Sequence, residues 1–227
     1  MTCLWCFEQL ANTINWQSFF TLREQNTFCD DCLHQLKRIE GDVCSRCFRE
    51  STVNVCSDCH TWEKQRAWKD VLTKNVSVFH YNEMMKQMIA KWKYRGDYVL
   101  TEGFRHLFKK QFNEHFRDIW QKAYIVPIPL SDERLEERSF NQAQVLTQFL
   151  PRTKEIQLTR VHHEKQAKKT RHERLTIKNP FILREKVNKP VILVDDIYTT
   201  GITLRYAART LKNAGCPAVY SFTLARG

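Results

Sequence analysis

Glycine is scarce in this 227-residue chain, with six residues in all, and none sits in a dinucleotide fingerprint or a Walker-type phosphate loop. Long apolar runs are missing as well. A strongly apolar one, Ala123 to Ser131, is about nine residues, where a membrane-spanning helix needs roughly twenty; no membrane insertion is expected. The opening residues, Met1-Thr2-Cys3-Leu4-Trp5-Cys6, hold no basic stretch followed by an apolar core, so no export signal is expected. What is present suits a folded chain. Apolar residues make up 42%, too many for a disordered protein, and the length fits one medium domain with a small module attached.

Charge and cysteine divide the chain. Residues 1–60 hold 5 Lys and Arg against 8 Asp and Glu, whereas residues 61–227 hold 31 against 17. The net charge of +11 therefore belongs to the larger part, and favours a polyanionic partner such as nucleic acid or a phosphorylated ligand. Eight of the nine cysteines form four CxxC pairs, Cys3/Cys6, Cys29/Cys32, Cys44/Cys47 and Cys56/Cys59. A two-residue gap lets both thiolates of one tight turn face a common ion, and two such turns complete the tetrahedral S4 shell that suits zinc. Four pairs supply two structural sites. Sequential closure joins Cys3, Cys6, Cys29 and Cys32, then Cys44, Cys47, Cys56 and Cys59; interleaved closure would join the first pair to the third. Shorter loops cost less entropy and favour the sequential scheme. The expected division is a zinc module over 1–62 and an α/β domain over 63–227.

Within the larger part, Val76 to His80 alternates as a strand, and Asn82 caps a helix carrying Met84, Met85, Met88, Ile89 and Trp92. A second helix is predicted from Tyr98 to Trp120, a strand from Tyr124 running into Pro127-Ile128-Pro129, and a helix from Phe140 to Leu150. Residues 151–189 are polar and basic. Val191 to Val194 reads as a buried strand, Thr203 to Ala214 as a helix, and Ala218 to Leu224 as a last strand. Such alternation implies a largely parallel sheet covered by helices.

The segment Val191-Ile192-Leu193-Val194-Asp195-Asp196-Ile197-Tyr198-Thr199-Thr200-Gly201-Ile202-Thr203 carries the chemistry. Ligands of open α/β sheets bind beyond the carboxyl ends of strands. The backbone N–H groups of the turn and the helix N-terminus would cradle a phosphate, helped by the hydroxyls of Thr199, Thr200 and Thr203, while Gly201 lets the backbone come close. Carboxylates repel phosphate, so Asp195 and Asp196 must face another part of the ligand; sugar hydroxyls, directly or through Mg2+, fit.

This string resembles the PRPP-binding signature of type I phosphoribosyltransferases. The resemblance implies that Asp195 and Asp196 hold the ribose hydroxyls and are the catalytic residues. It further implies that residues 199–203 hold the 5′-phosphate, that Mg2+ accompanies PRPP, and that Ile128, Pro129, Leu130 and Ser131 form the pyrophosphate loop with Arg134 and Arg138. The order of elements is similar to that of the ComF/ComFC family of bacterial competence proteins over essentially the whole chain. The strings that carry this are the CxxC pairs, Lys93-Tyr94-Arg95-Gly96-Asp97, Val126-Pro127-Ile128-Pro129 and Phe140-Asn141-Gln142-Ala143. Gln166 to Arg174 and the segment from Asp195 complete them. Two departures stand out: Ala167-Lys168-Lys169-Thr170-Arg171 is unusually basic, and Ser139-Phe140 replaces the family's common Gly-Phe. The resemblance implies a cytoplasmic protein for DNA uptake in natural transformation, binding single-stranded DNA and PRPP beside a ComFA-type translocase. An active phosphoribosyltransferase with an unknown nitrogen nucleophile is the alternative. DNA contacts are expected from Lys165, Lys168, Lys169, Arg171 and Arg174, with Lys91, Lys93 and Arg95 second. The acidic cysteine module is expected to dock a protein partner.

Overall fold

The computed structural model describes residues 1–10, 27–95, 98–152, 156–161 and 179–227, the side chains of Tyr94 and Arg95 excepted. Its described helices are α1 (Asp30–Gln35), α2 (Ser57–Lys64), α3 (Glu83–Arg95), α4 (Glu102–Trp120), α5 (Asp132–Arg138), α6 (Gln142–Thr147) and α7 (Ile202–Asn213). The strands are β1 (Lys74–His80), β2 (Tyr124–Pro127), β3 (Thr159–Arg160), β4 (Phe181–Ile182), β5 (Val191–Tyr198) and β6 (Val219–Arg226). Four of them form an all-parallel sheet in the order β1-β6-β5-β2, and β3 pairs with β4 antiparallel. The expected α/β architecture, a parallel sheet with flanking helices, is the one observed.

Both faces of the sheet are covered, which is why β5 opens as an unbroken apolar run. Alternate residues separate into two cores. Ile192 and Val194 join Ile125, Phe222 and the α3 and α4 side chains, whereas Val191 and Leu193 join Val126, Val219 and the apolar stripe of α7. Phe104, Phe108, Phe112 and Phe116 recur every fourth residue of α4, all fully buried, and three of them ring Phe222. The Phe28 ring lies so close to α4 that a Cβ at Gly103 would fall inside it. Polar side chains fix the register between β1 and β6: Ser221 donates to Asn75 at 2.8 Å, and the Ser77 and Thr223 hydroxyls share a bond of 2.7 Å, all buried.

Differences from the sequence reading have local causes. Helix α5 was not expected; none of its residues is buried, so it lacks the apolar periodicity that announces a helix. Strand β5 extends four residues past Val194, because β6 offers pairing partners as far as Arg226. The expected 140–150 helix is confined to Gln142–Thr147, where Asn141 Oδ1 accepts the Ala143 N–H. Ser139 closes α5 with a left-handed φ of 63°, the conformation that explains why glycine is common there in the resembling family.

The cysteine-rich part is one unit built twice. Cys3-Leu4-Trp5-Cys6-Phe7 and Cys44-Ser45-Arg46-Cys47-Phe48 are both tight hairpins, bridged between Thr2 and Gln9 and between Val43 and Glu50. In each, the phenylalanine after the second cysteine takes a positive φ, 65° at Phe7 and 62° at Phe48. In each, the returning pair opens a helix: Cys29 is the N-cap of α1 and Cys56 of α2. The cysteines of the two copies join different cores, while Phe48 of the second reaches the core of the first. Cys3 and Cys32 pack with the α3–α4 side of the sheet, and Cys44, Cys47, Cys56 and Cys59 with the α7 side.

Candidate functional site

The site grows from a mismatch in strand length. β2 stops at Pro127, opposite Val194, and the Ile128 N–H still donates to Val194 O at 2.8 Å. β5 continues alone beside β6, so Asp195 and Asp196 stand beyond the end of β2, next to the 128–131 turn. Strand alternation sends their side chains to opposite faces. Asp196 meets Lys93 of α3 in an ion pair whose side chains are only 14% (Lys93) and 12% (Asp196) exposed. Asp195 accepts the Asp196 N–H at 2.9 Å. Burial first, and the neighbouring Asp196 charge second, push Asp195 up to about 8, against the pull of that N–H, Lys93 and Arg160. Near neutral pH Asp195 thus keeps its proton, beside the Lys93–Asp196 ion pair. The two carboxyl groups offer a hydroxyl-bearing ligand one donor and one acceptor.

The turn that follows is open. Thr199 and Thr200 are exposed and Thr203 is half-buried. Gly201 is the N-cap of α7 with φ 76°; a Cβ there would strike the Tyr198 ring, so both conformation and space require glycine. No acidic residue occupies the first turn of this twelve-residue helix, leaving its positive end available to an anion.

Guanidinium groups converge from the other side. Burial, then the charges of Arg134 and Arg138, lower the pKa of Arg160, while Asp195 raises it; the charges of all three are therefore felt at Arg160. Arg134 is exposed and Arg138 half-buried on α5. In the preceding turn Ile128 and Ser131 are buried and Pro129 and Leu130 half-buried. Asn141 Nδ2 donates to Ile128 O at 3.0 Å, tying α6 to that turn. Arg138 Nη1 donates to Gln142 Oε1 at 3.1 Å, and the buried Gln142 Nε2 has no acceptor among the described residues. Neither Arg160 nor Gln142 was singled out from the sequence. Gln142 lay in a quoted string and Arg160 in the basic 151–189 segment, but only the fold brings them here.

Of the residues read as DNA contacts, Lys165, Lys168, Lys169, Arg171, Arg174 and the side chain of Arg95 lie outside the described residues. Lys91 leans over the Trp5 and Phe7 rings at 5.5 and 5.2 Å. Lys93 is drawn into the acidic pair rather than standing on the surface, because Asp196 would otherwise be a buried, uncompensated charge. A different surface combines rings and cations. Trp62, Trp68 and Tyr206 meet edge to face, with Arg205 over Trp62 at 4.6 Å and Arg209 over Trp68 at 4.4 Å. Lys64, Arg66 and Lys69 are exposed beside it.

The eight paired cysteines assemble sequentially, as the loop lengths favour. The Sγ atoms of Cys3, Cys6, Cys29 and Cys32 lie within 4.8 Å of one another, and so do those of Cys44, Cys47, Cys56 and Cys59. Cys6–Cys29 and Cys47–Cys56 Sγ separations are 3.6 Å and Cys44–Cys59 is 3.8 Å, close to the ~3.8 Å edge of a zinc–thiolate tetrahedron. The Cys29 and Cys56 N–H groups donate to Cys3 and Cys44 Sγ, each at 3.3 Å, which suits sulfurs carrying negative charge. Each group could hold a metal ion. Cys216 is buried apart from both. No described helix is long and apolar enough to cross a membrane.

Comparison with known proteins adds four likenesses. Residues 136–227 match the family model described as phosphoribosyl transferase domain. The whole chain is 40% identical to Competence protein ComFC of Bacillus subtilis (strain 168), over 95% of that protein, and 30% identical to Competence protein ComFC of Streptococcus pneumoniae (strain ATCC BAA-255 / R6), over all of it. DNA utilization protein YhgH of Escherichia coli (strain K12) is 32% identical across 87% of the chain and 89% of its own length.

Proposed function

This chain belongs to the ComFC family of competence proteins, and from that membership we propose that it serves DNA uptake in natural transformation as a cytoplasmic protein that binds PRPP and single-stranded DNA beside a ComFA-type translocase. One observation carries the PRPP part: an acidic pair stands in β5 just past the end of β2, two residues before an exposed hydroxyl turn and a helix N-terminus without a side-chain cap. In this reading Asp195 donates to one ribose hydroxyl and Asp196 accepts from the other. Thr199, Thr200, Gly201 and Thr203 enclose the 5′-phosphate. The pyrophosphate lies toward Ser131, Arg134 and Arg138, joined by Arg160 and the unpartnered Gln142 amide. Zinc fits both thiol groups, since a four-thiolate shell leaves no open position and so serves structure. Mg2+ would be carried by the oxygens of PRPP, because Lys93 already answers the charge of Asp196.

For DNA, the support is the basic larger part of the chain, +14 net over residues 61–227, and the ladder of Trp62, Trp68 and Tyr206 with its arginines, which pairs stacking surfaces with cations. The deciding experiment is calorimetry with PRPP and Mg2+, with and without single-stranded DNA. PRPP should bind the unaltered protein, and binding should vanish in Asp195→Ala/Asp196→Ala; equal binding by both proteins would refute the site. DNA affinity should fall steeply with salt, and a flat response would refute phosphate contact. The fold match favours one second reading, an active phosphoribosyltransferase. It requires pyrophosphate release that depends on an added nitrogen nucleophile.

A further inference from the structure

Arg226, at the end of β6, is buried to 5% exposure and divides its donors between two places. Nε donates to Cys47 O at 3.2 Å and Nη2 to Cys47 Sγ at 3.6 Å. Nη1 donates to Tyr198 O at 3.3 Å and to Thr199 O at 3.0 Å. One rigid fork thus touches a thiol of the second group and the first carbonyl of the candidate phosphate turn. The same guanidinium lies over the Tyr198 ring at 4.7 Å, and that ring is what leaves no space for a Cβ at Gly201. A second path runs parallel. Arg205 Nη1 donates to Tyr198 Oη at 2.6 Å while its guanidinium covers Trp62, three residues after Cys59. The first thiol group has no such path to the turn among the described residues.

From this juxtaposition we infer that Arg226 is a positioning residue through which the ion held by Cys44, Cys47, Cys56 and Cys59 sets the shape of the 199–203 turn. The phosphate turn and this metal group are then one coupled unit, and an ion lost or a thiol oxidised there disarms anion binding from behind. The inference rests on the phosphate-turn reading above. Lysine cannot replace the arginine, since a point charge cannot reach Cys47 and Thr199 together. Coupling is reciprocal, so an occupied turn must in turn retain the ion.

The test uses the full chain loaded with zinc, and ribose 5-phosphate as probe. A chromophoric chelator withdraws the two ions with and without the sugar phosphate. In the unaltered protein the ester should slow release of one ion about tenfold and leave the other unchanged; Arg226→Lys should erase that difference. A measurement free of any variant accompanies it: hydrogen exchange at the amides of 199–203 before and after the more tightly buried group is stripped. Faster exchange confined to the turn supports the coupling. Unchanged exchange overturns it, as does acceleration that spreads equally through β2, which would be a general loss of stability. Calorimetry separates the two readings. If ribose 5-phosphate binds but neither ion responds, the coupling falls and the phosphate turn stands. If it does not bind the unaltered protein, both fall.

Discussion

The two thiol groups share hairpin, phenylalanine conformation and helix, yet they sit in opposite circumstances. In the first, Cys6 is exposed, Phe7 is 67% exposed, and Lys91 lies over the Trp5 and Phe7 rings. In the second all four cysteines are buried, Phe48 is 6% exposed against the His115 ring, and Arg226 reaches from the last strand to Cys47. The same local sequence solution therefore supports two roles. One copy closes the edge of a core, while the other stands behind the candidate ligand turn. What separates them lies outside the units, in the partners that the sheet brings to each.

The strongest way to break this contrast is to remove one ligand from each. Cys47→Ser should cost at least about 3 kcal/mol, the loss expected when a buried metal shell fails, while Cys6→Ser should cost less than half as much. Metal content and urea unfolding of the two variants check this, and equal losses would erase the distinction. Next come Lys91 and Lys93, two of the lysines on α3. Lys93→Ala strands the Asp196 carboxylate in a buried place and should destabilise by about 3 kcal/mol at pH 7. Lys91→Ala removes contacts worth about 1 kcal/mol at most. Chemical denaturation compares them.

Proton linkage sharpens the contrast from the side of the site. Asp195 titrates at about 8 in the fold against 3.8 for the free group, so between those values the folded protein holds a proton that the unfolded chain releases. Stability should then fall as pH rises from about 4 to 8. Asp195→Asn should remove that decline and gain on the parent at the alkaline end, which thermal melts across this range would register; parallel curves would contradict it. The smallest effect is a reference change outside both groups. Ser139→Gly relieves a left-handed residue at the end of α5 and should stabilise by about 0.5–1 kcal/mol, measured by the same melts.

Much of this was legible in residue spacing. Four equal CxxC gaps announced two S4 groups, and the strand, acidic doublet and hydroxyl turn announced the anion-binding edge. Illegible were the relations that depend on distance along the chain. Lys93 stood in a basic run and read as a surface cation, though Asp196, which claims it, lies far along the chain in strand β5. Arg226 is a single arginine in an apolar strand, and nothing local says that it meets Cys47, 179 residues earlier. Helix α5 was hidden for another reason, since a helix with no buried residue leaves no apolar stripe to read. The doubling of the cysteine unit was also missed, because the two copies share little beyond their cysteines and a following phenylalanine.

The place of β6 has a consequence for synthesis on the ribosome. It lies between β1 and β5, and the bond that joins Ser77 to Thr223 spans 146 residues. A nascent chain that has emerged only as far as α7 already has β1 and β5, each with a bare edge toward the missing strand. Such edges are sticky. Translation that pauses before codon 219 should therefore be where this protein most needs a chaperone.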